Sequence, residues 1–313
     1  MTDTSINTHV IASELAPAPA PIPTAPETQP QKLTRLRFRP ARILLSILAI
    51  VVSVAWVFPV YWMLNSSLLS NRTLQSFIPT FVPIGGSFEN YANALENGTF
   101  YSALGISLSV TLIAVFFCLL FAFLAAVAIS RFRFKGRKSF VLAVLIIQML
   151  PAEGLFIAQY KMVSSVGLLN SIIGVSIIYT AAVVPFTIWM LRGFVAGIPA
   201  DLEEAAMVDG LSRTGAFMRI TFPLLAPGLV ASGVFAFLQA WNEFTVALVL
   251  LPAEDMHTLP LWLRGFIQAS ATRETDWGQV MAASTLVALP VIVFFLIVQG
   301  RLTSGLVSGA VKG

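Results

Sequence analysis

Two carboxylates sit where a charge is costly. Glu153 and Glu243 each lie inside an apolar run that holds no other Asp, Glu, Lys or Arg. A charged group at membrane depth is strongly disfavoured, so it normally faces a cavity or a partner. Polar and aromatic neighbours accompany both acids. Gln148, Gln159 and Tyr160 lie with Glu153, and Gln239, Trp241 and Asn242 lie with Glu243. Carboxylates and amides hydrogen-bond hydroxyls, and aromatic faces stack on ring surfaces, so this set fits a path for a hydroxyl-rich solute. Hydrogen bonding between helices, or interfacial anchoring by Trp241 and Tyr160, uses the same residue types. Cys118 is the single cysteine, which excludes an internal disulfide and a cysteine metal site. His9 and His257 lie far apart and outside the apolar runs, so a histidine metal site or a catalytic His–Asp pair within them has no support.

The elements that must position these residues follow from the scarcity of charge. Of 313 residues, 57% are hydrophobic and 11% are charged. An average soluble domain has roughly 25% charged residues. Mean hydropathy is +0.84. This excludes an ordinary soluble enzyme and leaves a polytopic membrane protein. Six charge-poor windows are long enough to cross a hydrocarbon core: about 43–64, 101–130, 139–160, 171–191, 224–250 and 278–300. Peptide groups in lipid must be satisfied within the segment, and the windows are too long for barrel strands. Each is therefore predicted to be a helix, giving an all-α fold.

With the N-terminus inside, 15 of the 19 Lys and Arg residues fall on the inner side, which predicts an N-in, C-in topology. In residues 1–40, Pro17, Pro19, Pro21, Pro23, Pro26 and Pro30 largely alternate with Ala and Thr. That stretch reads as a disordered cytoplasmic tail ending in a basic anchor, with residues 41–313 as the transmembrane domain. Arg131–Lys138 reads as a tight basic turn beside anionic lipid. The segments 65–100 and 251–277 are the long outer ones, with a short helix expected near Asn90–Leu95. A net charge of +4 gives no support to nucleic-acid binding.

Between the fourth and fifth windows the chain runs Ile198-Pro-Ala-Asp-Leu-Glu-Glu-Ala-Ala-Met-Val-Asp-Gly210. This predicts a short cytoplasmic helix. Asp201 is a good N-cap, and Glu204 completes a capping box. Asp201, Glu203 and Glu204 suit the positive helix N-terminus. Gly210 suits the left-handed position that stops a helix. Ala205 and Ala206 leave a small-residue face open to close approach. Ser212 or Thr214 is expected to cap a second short helix that reaches Ile220 and ends before Pro223.

Glu204-Ala205-Ala206, then Gly210, Ile220 and Pro223, resemble the EAA motif of the membrane subunits of bacterial ABC importers, EAA-x3-G-x9-I-x-L-P. The spacing matches throughout, with Phe222 at the Leu position. Pro185-Phe186, Asp209-Gly210, Trp241-Asn242 and the tail Gly305–Gly313 are similar to the carbohydrate-uptake, MalG-like branch. Ile106 and Val127 depart from it, standing where Asn and Tyr are usual.

The resemblance covers roughly residues 40–313 and implies a multi-pass permease of the bacterial cytoplasmic membrane. Such a subunit is not an enzyme and binds no cofactor. ATP and Mg would sit on a separate ATPase dimer, and no Gly-x4-Gly-Lys-Ser/Thr occurs in the chain. A second, MalF-like permease and an extracytoplasmic solute-binding protein are the other implied partners, beside membrane lipid. In that scheme Glu203, Glu204, Ala205, Ala206, Asp209, Gly210, Ile220 and Pro223 form the ATPase-coupling segment. The polar residues of windows three and five would line a sugar path. A di- or oligosaccharide of the maltose, maltodextrin or trehalose type is the leading substrate class. Glycerol-3-phosphate, a monosaccharide or a polyol are alternatives, although no window holds the Arg or Lys a phosphate path would want. An ion-coupled secondary transporter would want inverted repeats and more buried ionisable groups.

Overall fold

The computed structural model describes residues 40–96, 98–269 and 275–310. The chain divides into two units, residues 1–54 and 55–313. The expected tail, apart from Pro40, lies outside the described residues. We label the main helices α1 (Pro40–Ser67), α2 (Glu89–Glu96), α3 (Thr99–Arg131), α4 (Arg137–Ile147), α5 (Phe156–Ser165) and α6 (Ile172–Gly197). They continue as α7 (Asp201–Val208), α8 (Arg213–Trp241), α9 (Thr245–Leu250), α10 (Leu259–Ala269) and α11 (Trp277–Ala310). Every regular element among the described residues is helical. Five helical stretches are long and apolar enough to cross a membrane: Leu44–Ser67, Thr99–Arg131, Ile172–Gly197, Arg213–Trp241 and Trp277–Gly300. The described part of the first unit is the opening of α1, where Ser53 Oγ donates to the Ala49 carbonyl at 2.8 Å.

Two of the six expected spans are not single helices. Window three is split into α4 and α5. Pro151 has no N–H and disfavours a helical Leu150, so the chain leaves the helix there. Met149 and Leu150 instead close tight turns onto the Ile146 and Ile147 carbonyls at 3.0 and 3.2 Å. A single 3₁₀ turn, Ala152–Leu155, follows before α5 begins. Window five ends at Trp241 rather than Leu250. There Asn242 turns its side-chain amide onto the Leu238 carbonyl at 2.8 Å, and α9 starts afresh at Thr245. By contrast, Pro59, Pro185 and Pro290 lie within continuous helices. The short helix expected near Asn90–Leu95 is α2. The last window continues past Gly300 as helix to Ala310.

Within the second unit, α3 packs along α6, and α8 lies against both. The reason is visible on α3: Ala114, Cys118, Ala122 and Ala126 recur every fourth residue and are all but fully buried. Small side chains at that spacing let helix backbones approach closely, which substitutes for a hydrophobic drive that lipid does not provide. Ile129, Ile188, Leu191, Val195 and Leu225 fill one end of this three-helix contact. Ile106, Val110, Val175, Ile178, Tyr179 and Ala240 fill the other, where α9 joins. α11 packs on α8, α10 and α2. Outward faces stay apolar, as with Leu112, Phe116, Phe121 and Leu124 of α3 and Phe295, Leu296 and Ile297 of α11.

Gly228 marks a close approach of α6 and α8. A Cβ there would stand 2.5 Å from Phe194 Cγ and 2.8 Å from its Cβ. Gly228→Ala is therefore expected to destabilise the bundle by about 1–3 kcal/mol, the usual range for overpacking. Thermal unfolding in detergent should show the loss, and the added change Phe194→Ala should recover part of it. An unchanged melting curve for Gly228→Ala would contradict the packing.

Candidate functional site

The α6–α8 connection is built as a small folded unit. Ile198 is extended, as a residue before proline prefers, and Ala200 is already in the helical region. The helix therefore starts one residue earlier than expected. Glu203 and Glu204 N–H groups bond to the Ala200 carbonyl, and no side chain caps the end. The Asp201 capping box is thus not formed, because Asp201 is already inside the first turn. The other end behaves as the sequence predicts. Gly210 has φ +90°, its N–H bonds to the Met207 carbonyl and the Leu211 N–H to the Ala206 carbonyl, each at 3.1 Å. That pair of bonds is the Schellman arrangement, which needs a residue free to adopt positive φ. Ser212 caps the following helix by accepting from the Gly215 N–H at 3.1 Å.

The second helix does not stop before Pro223. It runs on as α8 through one wide turn, Phe217–Thr221, where the Phe222 N–H bonds to the Phe217 carbonyl five residues back. A π-turn of this kind lets the proline be carried inside the helix with less strain on the preceding turn. The turn also aims fully buried Thr221 at α7. Thr221 Oγ1 donates to Glu203 Oε1 at 2.6 Å, and Arg131 Nε lies 2.9 Å from the same oxygen. The Nε–H is not aligned on that oxygen, so the contact is an ion pair rather than a directed hydrogen bond. Arg131 Nη2 donates to the Ile198 carbonyl at 3.0 Å. Both charged side chains are only 14% exposed. A cavity of about 350 Å³ adjoins them, lined by Arg131, Glu203, Glu204, Met207, Arg213 and Phe217 among others.

The motif residues divide between two faces. Asp201, Glu204, Ala205 and Val208 are exposed, and their spacing puts them on one side of α7. Ala206 is buried against its own chain and Glu203 is mostly so. The small-residue face expected at Ala205 and Ala206 is therefore split, with only Ala205 turned outward. Asp209, Gly210 and Pro223 are exposed and Ile220 is half-buried.

The polar residues of windows three and five fall around the two helix breaks. Gln148 follows α4 and is exposed. Glu153 lies in the 3₁₀ turn, and its side chain is outside those described. Gln159 and Tyr160 are on α5, Tyr160 exposed and the Gln159 Oε1 buried without a partner. Gln239 and Asn242 are exposed, whereas Trp241 is buried and stacks on Phe237 at 5.5 Å. The two sets are on neighbouring elements, since α9 packs on α5. Glu243 acts structurally. Its carboxylate accepts the Val246 and Ala247 N–H groups at 2.8 and 3.1 Å. A carboxylate there satisfies the free donors that open α9 and suits the helix dipole.

Residues 119–307 match the family model described as binding-protein-dependent transport system inner membrane component. The chain belongs to that family of membrane permeases. A multi-pass protein of the cytoplasmic membrane accords with its apolar helices. The chain is 41% identical over 272 residues to the diacetylchitobiose uptake system permease of Streptomyces coelicolor, covering 87% of this chain and 98% of that one. It is 33% identical over 274 residues to the trehalose/maltose transport system permease of Thermococcus litoralis, covering 87% and 97%. Its fold resembles the crystal structure of a bacterial ABC transporter that imports alginate, with TM-score 0.69 at 24% identity, covering 84% of this chain and 96% of that one.

Three positioning residues of this permease are not singled out by the sequence. Arg131 is read there as the start of a basic turn beside lipid, whereas it ends α3 mostly buried against Glu203, and Thr221 is legible only as a spacer in the motif. Ser107, whose Oγ accepts the Leu259 N–H at 2.7 Å, fixes the start of α10 on α3. No local pattern in the sequence marks it. For Glu243 the geometry makes a measurable claim. Glu243→Ala should cost about 1–2 kcal/mol of stability, as for the loss of a helix cap. Chemical or thermal unfolding of the purified permease checks it. An unaltered transition would leave the capping role without energetic weight.

Proposed function

We propose that this chain is the membrane-spanning permease subunit of an ATP-driven, binding-protein-dependent importer for a disaccharide or short oligosaccharide. The substrate class rests on the relatives named for diacetylchitobiose and for trehalose and maltose. The subunit is not itself an enzyme and holds no cofactor, so ATP and Mg belong to a separate ATPase dimer. A second permease and an extracytoplasmic solute-binding protein complete the assembly. Both termini lie in the cytoplasm, with the tail of residues 1–40 preceding the transmembrane domain. The chain crosses six times, the third crossing being made by α4 and α5 around their break.

The observation that carries this reading is α7. It is a helix with a defined end, tethered on one face to its own chain and free on the other, where Glu204, Ala205 and Val208 stand exposed together. A mere connection between two spans needs none of this. We assign the free face to the ATPase and its displacement to the opening of the path between two packings of the spans.

The helix breaks support the placement of the solute path. Irregular backbone at membrane depth is tolerated only where it is covered by protein or lines an aqueous cavity. Residues 148–151 and Asn242 are exposed on this chain, so a partner permease or the path itself covers them. Gln148, Glu153, Gln159, Tyr160, Gln239 and Asn242 then offer hydroxyl-binding groups along it. Trp241 and Glu243 support that wall from behind.

The two alanines of α7 separate docking from folding. Ala205→Arg should leave the permease in the membrane and properly folded but abolish co-purification of the ATPase and sugar uptake. Ala206→Arg should instead disturb the packing of α7 on its own chain and lower thermal stability. Full uptake by the Ala205 variant would refute docking through this face. At the path, Glu153→Ala should lower uptake while the assembled complex is still recovered. Wild-type uptake kinetics would remove Glu153 from the path.

A further inference from the structure

Arg131, Glu203 and Thr221 form one buried charged cluster, and together with the Ile198 carbonyl it touches four pieces of the chain. Arg131 is the last residue of α3, Ile198 follows the end of α6, Glu203 is on α7 and Thr221 is in the wide turn of α8. We propose that this cluster is a strut that makes α7 move as one body with the adjoining ends of α3, α6 and α8. Its functional consequence, the transfer of ATPase motion to the spans, rests on the coupling reading above.

The geometry supports a rigid link rather than a generic surface ion pair. Exposed pairs hold two mobile side chains in high dielectric and contribute little. Here both side chains are 14% exposed, and the same Glu203 oxygen takes the Arg131 charge and the Thr221 hydroxyl. Thr221 has no exposed surface. Its partner geometry depends on the π-turn, which shifts the register of α8 at that point. The guanidinium spends a second nitrogen on the Ile198 carbonyl, one residue beyond the end of α6. Removing one charge leaves the other buried and uncompensated, so the link is made or lost as a unit. α7 also packs on the start of α8, where Ala206 and Ala216 are buried. Arg131, Glu203 and Thr221 are positioning residues.

Two measurements decide the point. In the first, spin labels on Val208→Cys in α7 and Leu124→Cys in α3 report their separation in the full chain held in lipid nanodiscs. Both sites are exposed, and buried Cys118 escapes labelling. The wild-type background should give one narrow distance distribution, and Glu203→Gln or Arg131→Met should broaden it. Thr221→Val should give an intermediate width, and the exchanged pair Arg131→Glu with Glu203→Arg should narrow it again. In the second, the reconstituted transporter is assayed for sugar taken up per ATP hydrolysed. Glu203→Gln should lower this ratio by about ten-fold, the upper part of the range for coupling mutations, while the ATPase still co-purifies. A distribution unchanged in both Glu203→Gln and Arg131→Met overturns the strut, as does an unchanged ratio. Loss of the ATPase from the wild-type chain would instead count against docking at α7, and the distance measurement would still judge the strut.

Discussion

Hydrocarbon offers no partner to a peptide N–H or C=O, and the architecture of this permease is arranged around that fact. The long helices satisfy their backbones internally. Their hydroxyls do likewise: Ser109, Ser176, Thr180, Thr187, Ser284 and Thr285 each donate to the carbonyl four residues back, at 2.7–2.9 Å. Where a helix must stop inside an apolar window, the orphaned groups are met on the spot. The Asn242 amide takes the Leu238 carbonyl, and the Glu243 carboxylate takes the first donors of α9. Breaks are therefore built features. The one at Pro151 and the one at Asn242 lie on either side of the α5–α9 contact, and the amide and carboxyl side chains of windows three and five gather around it.

The same constraint explains why the bundle is held by shape. Lipid is as apolar as leucine, so burying large side chains gains little and close packing gains more. The alanine and cysteine seam of α3, and Gly228 under Phe194, bring backbones close enough for dispersion to hold them. At the end of the bundle that carries Arg131 the balance changes. There a carboxylate and a guanidinium are mostly buried but paired, across the ends of α3 and α7.

Much of this is legible from residue order. The Gly210 stop and the cap expected at Ser212 or Thr214 are local chemistry, set by one residue's φ or one hydroxyl's reach; the stop stands as expected, and Ser212 is the residue that caps. The expected Asp201 cap is off by one residue because Ala200 has already entered the helix, a shift that periodicity does not register. Pro151 is visible as a helix breaker, yet so are Pro185 and Pro290, which are carried inside helices. Proline alone does not decide between a kink and a stop.

Glu243 shows the same limit in side-chain form. An acid in an apolar run reads as a solute contact or as a hydrogen bond between helices, and neither reading anticipates that its carboxylate accepts the Val246 and Ala247 amides. The sequence by itself determined that the chain is a helical membrane protein, where its apolar windows lie, and that a helical segment with a marked end separates the fourth and fifth. Those are consequences of hydropathy and spacing, which act along the chain. The tertiary structure alone decided that Ala205 faces out while Ala206 faces in, that Glu203 meets Arg131 and Thr221, and which windows break. The meeting at Glu203 depends on groups 18 and 72 positions away being brought within 3 Å of one oxygen, and no local pattern encodes that distance.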